Sequence, residues 1–215
     1  MKKAIIPVLL AFMMTSVLVS CHQSHKKELN IAYDLAESDP DSALAFLSHI
    51  NTGKLSKEEM AKYALTYYMA QDKSGLDVDN DSLIHIAFDW YNEHQDDSLY
   101  TTSLYYMGKC FMLSDSIEQA KACLEKSFSM SDNYHHMDVK CLALDKLIEI
   151  EEQLSPYKAL EYAKTLVKMY DLMPNATIYN KVAAHLRLGE NFLFVDSLKQ
   201  ALEEEKKGYK LAMLT

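Results

Sequence analysis

The feature that most constrains the fold is a pair of small residues that lie twelve positions apart in two adjacent helical patterns. Gly108 stands in a helical pattern with Leu104, Met107 and Phe111, and Ala120 takes the small position in the next pattern. Gly189 and Ala201 repeat the interval further along the chain. Two helices approach each other closely only where the facing side chains are small. The sequence therefore predicts two antiparallel helix pairs that cross at these four residues.

Weaker copies of this arrangement fill the rest of the chain. Ala64 takes the small position in a pattern at 60–67, a degenerate unit covers 139–168, and 27–50 forms an atypical first pair. In the degenerate unit, Ser155 followed by Pro156 predicts a helix start. Only 5 Gly and 4 Pro occur in 215 residues, too few for the tight turns of a sandwich or barrel. We expect an all-α fold of about ten helices in five hairpins, stacked as a right-handed solenoid.

The triplet Asp-Ser-apolar recurs, and we interpret it as a helix-start signal. Its copies begin at Asp41, Asp81, Asp97, Asp115 and Asp196. Asp is favoured as an N-cap because its side chain accepts hydrogen bonds from the unpaired N–H groups of the first turn. Asp115, with Glu118 three residues later, is the predicted N-cap of a capping box. Four copies are predicted to begin the second helix of a pair, and the copy at Asp97 the first helix of the third pair.

The best-preserved unit resembles the tetratricopeptide repeat. Its pattern is carried by Leu104, Met107, Gly108 and Phe111, then by Ala120, Leu124 and Ser127. No unit has the Trp of the family's first position, and the second clear copy has Glu205 where the family usually has an aromatic residue. The resemblance implies an α-solenoid of antiparallel helix pairs. It also implies that the first helix of each pair contributes to an inner wall that holds a peptide or a partner's helix.

If the repeat register holds, one set of residues on the first helices faces this inner wall. They are Leu65, Tyr68 and Met69; Tyr105, Lys109 and Met112; Leu144 and Ile148; and Leu186 and Glu190. Rigid aromatic side chains and adaptable Met side chains are well suited to partner contact. The same spacing is typical of ordinary core packing, so the sequence leaves both interpretations open.

The amino terminus has the pattern of a secretory signal. Lys2 and Lys3 precede an uncharged, mostly apolar run at 4–19, which is short for a membrane-spanning helix. The residues that end this run, "LVSC" at 18–21, resemble the bacterial lipobox. The resemblance implies that Cys21 carries a diacylglyceryl group and that the body is held at the outer membrane, facing the periplasm. A plain signal peptide or an uncleaved anchor is the alternative.

These signals divide the chain into a lipoprotein signal peptide at 1–20, a polar tether at 21–27 and a tetratricopeptide-like domain at 28–215. Three cysteines remain in the domain, Cys110, Cys123 and Cys141. Their odd number means that at least one is free or pairs between chains. We interpret them as small buried hydrophobic residues, with a disulfide between neighbouring helices as the alternative.

No pattern of catalytic residues is evident. The sequence contains no H-E-x-x-H, C-x-x-C or G-x-S-x-G motif and no phosphate-binding glycine loop, so we expect neither an enzyme nor a cofactor. Asp132, His135 and His136 cluster in a predicted loop, which we interpret as solvated rather than metal-binding. The net charge is -9 and Arg187 is the only arginine, which disfavours nucleic-acid binding.

The leading hypothesis is a non-enzymatic, membrane-tethered interaction scaffold in the periplasm that binds a protein or peptide in its inner groove. The "PDSAL" opening and the Asp-Ser-Leu hairpins also look like the repeat regions of some bacterial membrane-bound regulators. That alternative requires a truncated gene, or a separate partner that supplies the membrane helix and the output domain. An accessory role in cell-wall or glycan processing rests on the compartment alone. The sequence identifies neither the partner nor the oligomeric state.

Overall fold

The computed structural model describes residues 25–76, 81–94, 97–130 and 137–214. Within these ranges the chain forms ten α-helices and one short 3-10 turn, with no strand. The all-α class predicted from the sequence is confirmed. The described residues fall into two compact units, one at 25–94 and one at 97–214.

The first unit contains four helices. They are α1 at 25–38, α2 (Pro40–Leu47), α3 (Lys57–Lys73) and α4 (Asp81–His94). The core of this unit joins Leu29 and Ala32 of α1 to Leu47 of α2, with Tyr63 and Tyr67 of α3 packed against them. Helix α3 packs in turn on α2 and α4. Residues 25–27, predicted to belong to the polar tether, are already helical.

Two helix starts of the first unit have side-chain caps. Asp39 caps α2, because its carboxylate accepts hydrogen bonds from the backbone N–H and the hydroxyl of Ser42 at 3.2 and 2.6 Å. Asp41, a predicted helix start, therefore lies inside the first turn of α2. Ser56 and Glu59 form a reciprocal capping box at the start of α3, which the Ser-x-x-Glu pattern signals but our sequence analysis missed.

The second unit contains three helix pairs. Its helices are α5 (Asp97–Leu113), α6 (Ile117–Ser129), α7 (Met137–Leu154), α8 (Pro156–Leu172), α9 (Ile178–Leu193) and α10 (Leu198–Ala212). Each helix packs on the next along the chain, and α5 also packs on α7. The start of α8 is as predicted, with Ser155 as N-cap and Pro156 in the first turn. This is the stacking expected of antiparallel helix pairs in a solenoid.

The small residues lie where helices cross, as their spacing predicts. A Cβ built on Gly108 would lie 2.7 Å from Cγ of Leu124 and 3.3 Å from the backbone oxygen of Ala120. At Gly189 it would lie 3.2 Å from Cγ of Glu205 and 3.3 Å from the backbone oxygen of Ala201. Glu205 thus packs its aliphatic stem where the family has an aromatic ring. Ala64, the predicted small residue of α3, is fully buried.

The two clear Asp-Ser turns do not work as predicted. Asp115 and Asp196 both have φ of 56°, in the left-handed region, and the N-caps of α6 and α10 are Ser116 and Ser197. The Ser116 N–H donates to the carbonyl of Phe111 at 2.8 Å, which is the bond of a Schellman helix ending. The prediction of Asp115 as an N-cap is therefore wrong. At these two turns the triplet ends one helix on Asp and begins the next after Ser, whereas Asp81 and Asp97 are the first residues of α4 and α5, as predicted.

A buried carboxylate joins three helices of the second unit. Glu151 of α7 lies 2.7 Å from Nζ of Lys121 on α6 and 2.9 Å from Nζ of Lys158 on α8. Burial by itself raises the pKa of Glu151, but the hydrogen bonds from the two ammonium groups outweigh it, so the pKa is below its usual value. The carboxylate is therefore ionised at neutral pH and holds both cations.

The signal peptide at 1–20, Cys21 and the Asp132, His135 and His136 cluster lie outside the described residues. No helix in the described ranges is long and apolar enough to cross a membrane. Cys110 and Cys141 are buried and Cys123 is half-buried. Burial raises the pKa of the Cys141 thiol to about 12, so it stays protonated, as expected of a small core residue.

Candidate functional site

The structure corrects the predicted wall on α3. Leu65, Tyr68 and Met69 are almost fully buried. The buried positions of α3 occupy most of its circumference, so these residues belong to the core and are out of a partner's reach. A helix that is buried on most sides has no apolar stripe from which a wall could be read.

The predicted wall residues of α7 are buried as well. Leu144 and Ile148 are fully buried in the core of the second unit, together with Cys141, Ala159 and Leu188. They do not line a surface. Because α7 packs on α5, α6 and α8, its apolar residues point in several directions and their spacing did not reveal which side is open.

The open side of α7 contributes to a first hollow, together with α5. The hollow has a volume of about 380 Å³. Two predicted wall residues, Lys109 and Met112, line it from α5. The residues that α7 contributes are Lys146, Glu149, Ile150, Gln153 and Leu154. They follow each other at spacings of three, one, three and one, so they share one side of the helix.

The aromatic residue predicted beside Lys109 is not part of the hollow's surface. Tyr105 is buried, and its ring meets the ring of Tyr106 edge-on with centroids 4.8 Å apart. Nζ of Lys109 lies over the Tyr105 ring at 5.9 Å from its centroid, which is within the range of a cation–π contact. Tyr105 therefore lies in the core next to Lys109.

A second hollow lies between α7 and α9 and has a volume of about 510 Å³. The predicted residues Leu186 and Glu190 both line it, and both are exposed. Its other lining residues include Leu142, Asp145, Tyr179, Asn180 and Arg187. These residues were not singled out from the sequence. On α9, Tyr179, Ala183 and Arg187 share one helix face with the predicted Leu186 and Glu190.

Arg187, which lines this hollow, is held in place by carboxylates of α7. Its Nε donates to Oδ1 of Asp145 at 3.2 Å, and a terminal nitrogen lies 3.5 Å from Glu152. Asn191 donates to Glu152 at 2.8 Å. These bonds connect α7 to α9 and fix the floor of the second hollow. Glu190 lies 3.9 Å from the arginine and keeps most of its side chain in solvent.

The two hollows lie side by side on the first helices of the three pairs in the second unit. Together they form a surface that we call the α5–α7–α9 groove, lined by the residues named above. Among the described residues no cluster of His, Cys, Asp or Glu side chains is arranged to hold a metal ion. The groove presents apolar side chains that are partly or largely exposed among charged ones.

Comparison with known proteins supports the fold and gives no evidence about the function. No profile of a known protein family matches the sequence, and no curated protein matches it. Among solved structures, the chain is similar to a Podosopora anserina protein assigned as a kinesin light chain with nearly identical TPR-like repeats. The identity is 11%, the TM-score 0.61, and the match covers 87% of this chain and 94% of the other.

A point variant of the same Podosopora anserina protein matches in the same way, with 12% identity and a TM-score of 0.62. That match covers 86% of this chain and 93% of the other. At such low identity the likeness concerns the fold alone. The chain thus has the TPR-like fold of stacked helix pairs that its small-residue spacing predicted.

Proposed function

We propose that the protein is a membrane-tethered periplasmic scaffold that binds a protein or peptide partner and performs no catalysis. The proposed binding rests on the α5–α7–α9 groove. Its two adjoining hollows have the size of ligand sites, which is about 300–1,000 Å³. TPR-like folds in general serve protein–protein interaction, which supports the same conclusion.

The rim of the groove has the composition of a peptide-binding surface. Leu113 and Leu154, which line the first hollow, are largely exposed, and so is Tyr179 of the second hollow, where Leu186 is about half exposed. Exposed apolar side chains that are grouped and surrounded by charges mark interaction sites. Each hollow can take one apolar anchor of a partner segment that lies across α7.

The charged side chains that line the two hollows indicate which charge a partner should carry. In the first hollow Lys146 is bonded to Glu149 at 2.7 Å, so those two charges largely satisfy each other. In the second hollow Arg187 is engaged by Asp145, while Glu190 extends into solvent. The unsatisfied charge at the second hollow is therefore negative. A segment with apolar anchors and a basic residue near Glu190 fits best.

The tether is proposed from the lipobox. Cys21 stands directly after an apolar run and a Leu-Val-Ser sequence, where the modified cysteine of a lipoprotein stands. Residues 22–24 then separate the anchor from α1, which is helical from residue 25. Several acyl chains on one terminus give a stable membrane anchor. The groove would then be presented to envelope proteins.

The binding is tested by changing the rim of the groove without touching the core. Leu113→Asp and Leu154→Asp place charge beside the first hollow, at side chains that are already largely exposed. Leu172→Asp, on α8 and outside both hollows, is the matched control because Leu172 is equally exposed. The full-length variants are expressed in the native host and crosslinked in the intact envelope.

We expect the two rim variants to lose the crosslinked partner and the control to retain it, since interface anchors cost about 2 kcal/mol or more when disrupted. Circular dichroism should show equal helicity in all three variants. Retention of the partner by both rim variants would contradict the groove as its binding surface. Measurable turnover of an envelope substrate by the purified protein would contradict the scaffold role.

A further inference from the structure

A further hollow lies entirely within the first unit, between α3 and α4, and we call it the α3–α4 hollow. It has a volume of about 270 Å³. Its lining residues are Lys57 and Met60 of α3 and Ile86, Asp89, Trp90 and Glu93 of α4. The four residues of α4 follow each other at spacings of three, one and three, so they share one side of the helix. This surface is separate from the α5–α7–α9 groove, which belongs to the second unit.

The apolar part of the α3–α4 hollow contains the only tryptophan of the chain. Trp90 and Met60 are half-buried, and Ile86 is 39% exposed. The imidazole of His94 stacks on the indole with ring centroids 3.7 Å apart. His94 does not line the hollow, so the hollow lies on another side of the indole. A partly exposed tryptophan among apolar side chains is the kind of residue that anchors interfaces.

Two carboxylates flank this tryptophan. Asp89 and Glu93 stand four positions apart on α4, both are exposed, and neither has an ion-pair partner in the described part of the chain. Like charges at this spacing on a helix repel each other. Glu93 also lies in the last turn of α4, where the helix dipole adds partial negative charge. A cation bound next to both carboxylates would remove this repulsion.

The described chain does not itself supply that cation. Elsewhere it places lysines over aromatic rings, as with Lys62, whose Nζ lies 3.8 Å from the centroid of the Tyr33 ring. Within the described ranges no lysine or arginine lies over Trp90 in this way. Lys57 lines the α3 side of the hollow and is exposed, but it forms no ion pair with either carboxylate of α4. The hollow therefore has an aromatic ring and two negative charges without a positive group between them.

The size and lining of the hollow favour one kind of cation. Its volume is just below the range of sites for whole small ligands, about 300–1,000 Å³, so it fits a single long side chain. An arginine has an apolar stem, which suits Met60 and Ile86. Its planar guanidinium stacks on aromatic rings and donates to two acceptors at once. The ammonium of a lysine is more strongly hydrated and has no plane to stack.

We propose that the α3–α4 hollow binds an arginine side chain of a protein or peptide partner. The guanidinium stacks on Trp90 and donates hydrogen bonds to Asp89 and Glu93, and the stem lies along the apolar residues of the hollow. Lys57 repels a second cation, so the hollow accepts one basic residue of the partner. The site belongs to the first unit and does not depend on the function proposed for the groove.

The first test is a fluorescence titration, because the emission of the only tryptophan reports on this hollow. The full-length chain is purified in a non-ionic detergent and titrated with acetyl-Ala-Arg-Ala-amide. Two control peptides replace the arginine by citrulline, which has a similar shape without the charge, or by lysine. We expect a saturable change in emission with the arginine peptide, and half-saturation at a concentration at least about fivefold higher with either control. Rising salt should weaken the binding.

Variants of the charged lining residues test the geometry. Asp89→Asn and Glu93→Gln keep the shape of each side chain, and each should raise the half-saturation concentration by about two- to fivefold. Asp171→Asn, at an exposed carboxylate of α8 in the second unit, is the matched control and should bind as the parent does. Lys57→Ala removes a repelling charge and should bind the peptide equally well or more tightly. Circular dichroism checks that helicity is unchanged in every variant.

Three results would overturn the proposal. The first is the absence of a saturable change with the arginine peptide, and the second is equal binding of the arginine peptide and either control peptide. The third is a loss of binding in Lys57→Ala while both carboxylate variants bind as the parent does, which would mean that the hollow recognises an acceptor or an anion.

A parallel titration separates this site from the groove. Leu113→Asp and Leu154→Asp change the groove in the second unit and should leave binding of the arginine peptide unchanged. If these variants lose the envelope partner and still bind the peptide, the two sites act independently, as proposed. Loss of peptide binding in these variants with unchanged helicity would contradict a site confined to the first unit.

Discussion

Replacing Gly108 by Ala should destabilise the second unit, although Ala is the better helix former. Ala gains about 1 kcal/mol over Gly inside a helix. The added methyl group, however, would lie 2.7 Å from Cγ and 2.9 Å from Cδ2 of Leu124, and 3.3 Å from the Ala120 backbone oxygen. Leu124 is fully buried, so it can yield only by disturbing its neighbours.

Overpacking of this kind costs about 1–3 kcal/mol. After subtraction of the helix-propensity gain, we expect Gly108→Ala to lower the free energy of unfolding by up to about 2 kcal/mol. The sign should reverse when Leu124 is first shortened to Ala, because the clashing atoms are then gone. In the Leu124→Ala background, Gly108→Ala should raise the free energy of unfolding by up to about 1 kcal/mol.

Urea unfolding followed by circular dichroism measures all four corners of this double-mutant cycle. Gly189→Ala is a useful comparison, since its methyl group would approach only to 3.2 Å of a flexible Glu205 stem and should cost less. If Gly108→Ala stabilises the protein in both backgrounds, the helices do not cross at Gly108 as described.

Three further changes test separate parts of the structure. Glu151→Gln should lower the free energy of unfolding by about 1–3 kcal/mol at pH 7. Folding lowers the pKa of Glu151, so its contribution to stability is present above the usual carboxylate pKa and is lost as pH falls through the lowered pKa. Urea midpoints of parent and variant should therefore converge at acid pH. Asp115→Gly should stabilise by about 0.5–1 kcal/mol because φ is 56° there, whereas Asp41→Gly, inside α2, should destabilise by a similar amount in the same melts. Cys21→Ala should abolish labelling by an alkyne fatty acid, and unchanged labelling would place any lipid elsewhere.

The helix pairs could be predicted because their determinants are steric and local. A Gly or Ala is required wherever two backbones approach closely. The twelve-residue interval covers the end of one helix, the short connection and the first turn of the next helix. Gly108 with Ala120 and Gly189 with Ala201 therefore specified two hairpins before any contact was known. The likeness to TPR-like repeats followed from the same residues.

The Asp-Ser turns show why the local detail was missed. Asp is favoured both as an N-cap and in the left-handed conformation, so Asp115 alone could not reveal which role it takes. The connection between α5 and α6 is so short that one residue must end the first helix while the next begins the second. Ser116 takes the second role, which leaves the left-handed position to Asp115.

The inner wall was partly mispredicted because burial depends on what packs around a helix. Of the residues assigned to the inner wall, Lys109, Met112, Leu186 and Glu190 line the hollows. Leu144, in contrast, faces the core, since α7 is enclosed on several sides and shows no single apolar stripe. Periodicity identifies a wall only on helices that keep one side open.

The measurement that tests the central claim most directly is position-resolved photo-crosslinking in living cells. A photoreactive amino acid is placed at Met112 or Leu186 in the groove, and at Tyr157 on α8 as an exposed control. We predict that both groove positions crosslink the same envelope protein and that the control position does not. A partner that crosslinks at Tyr157 and at neither groove position would contradict the account.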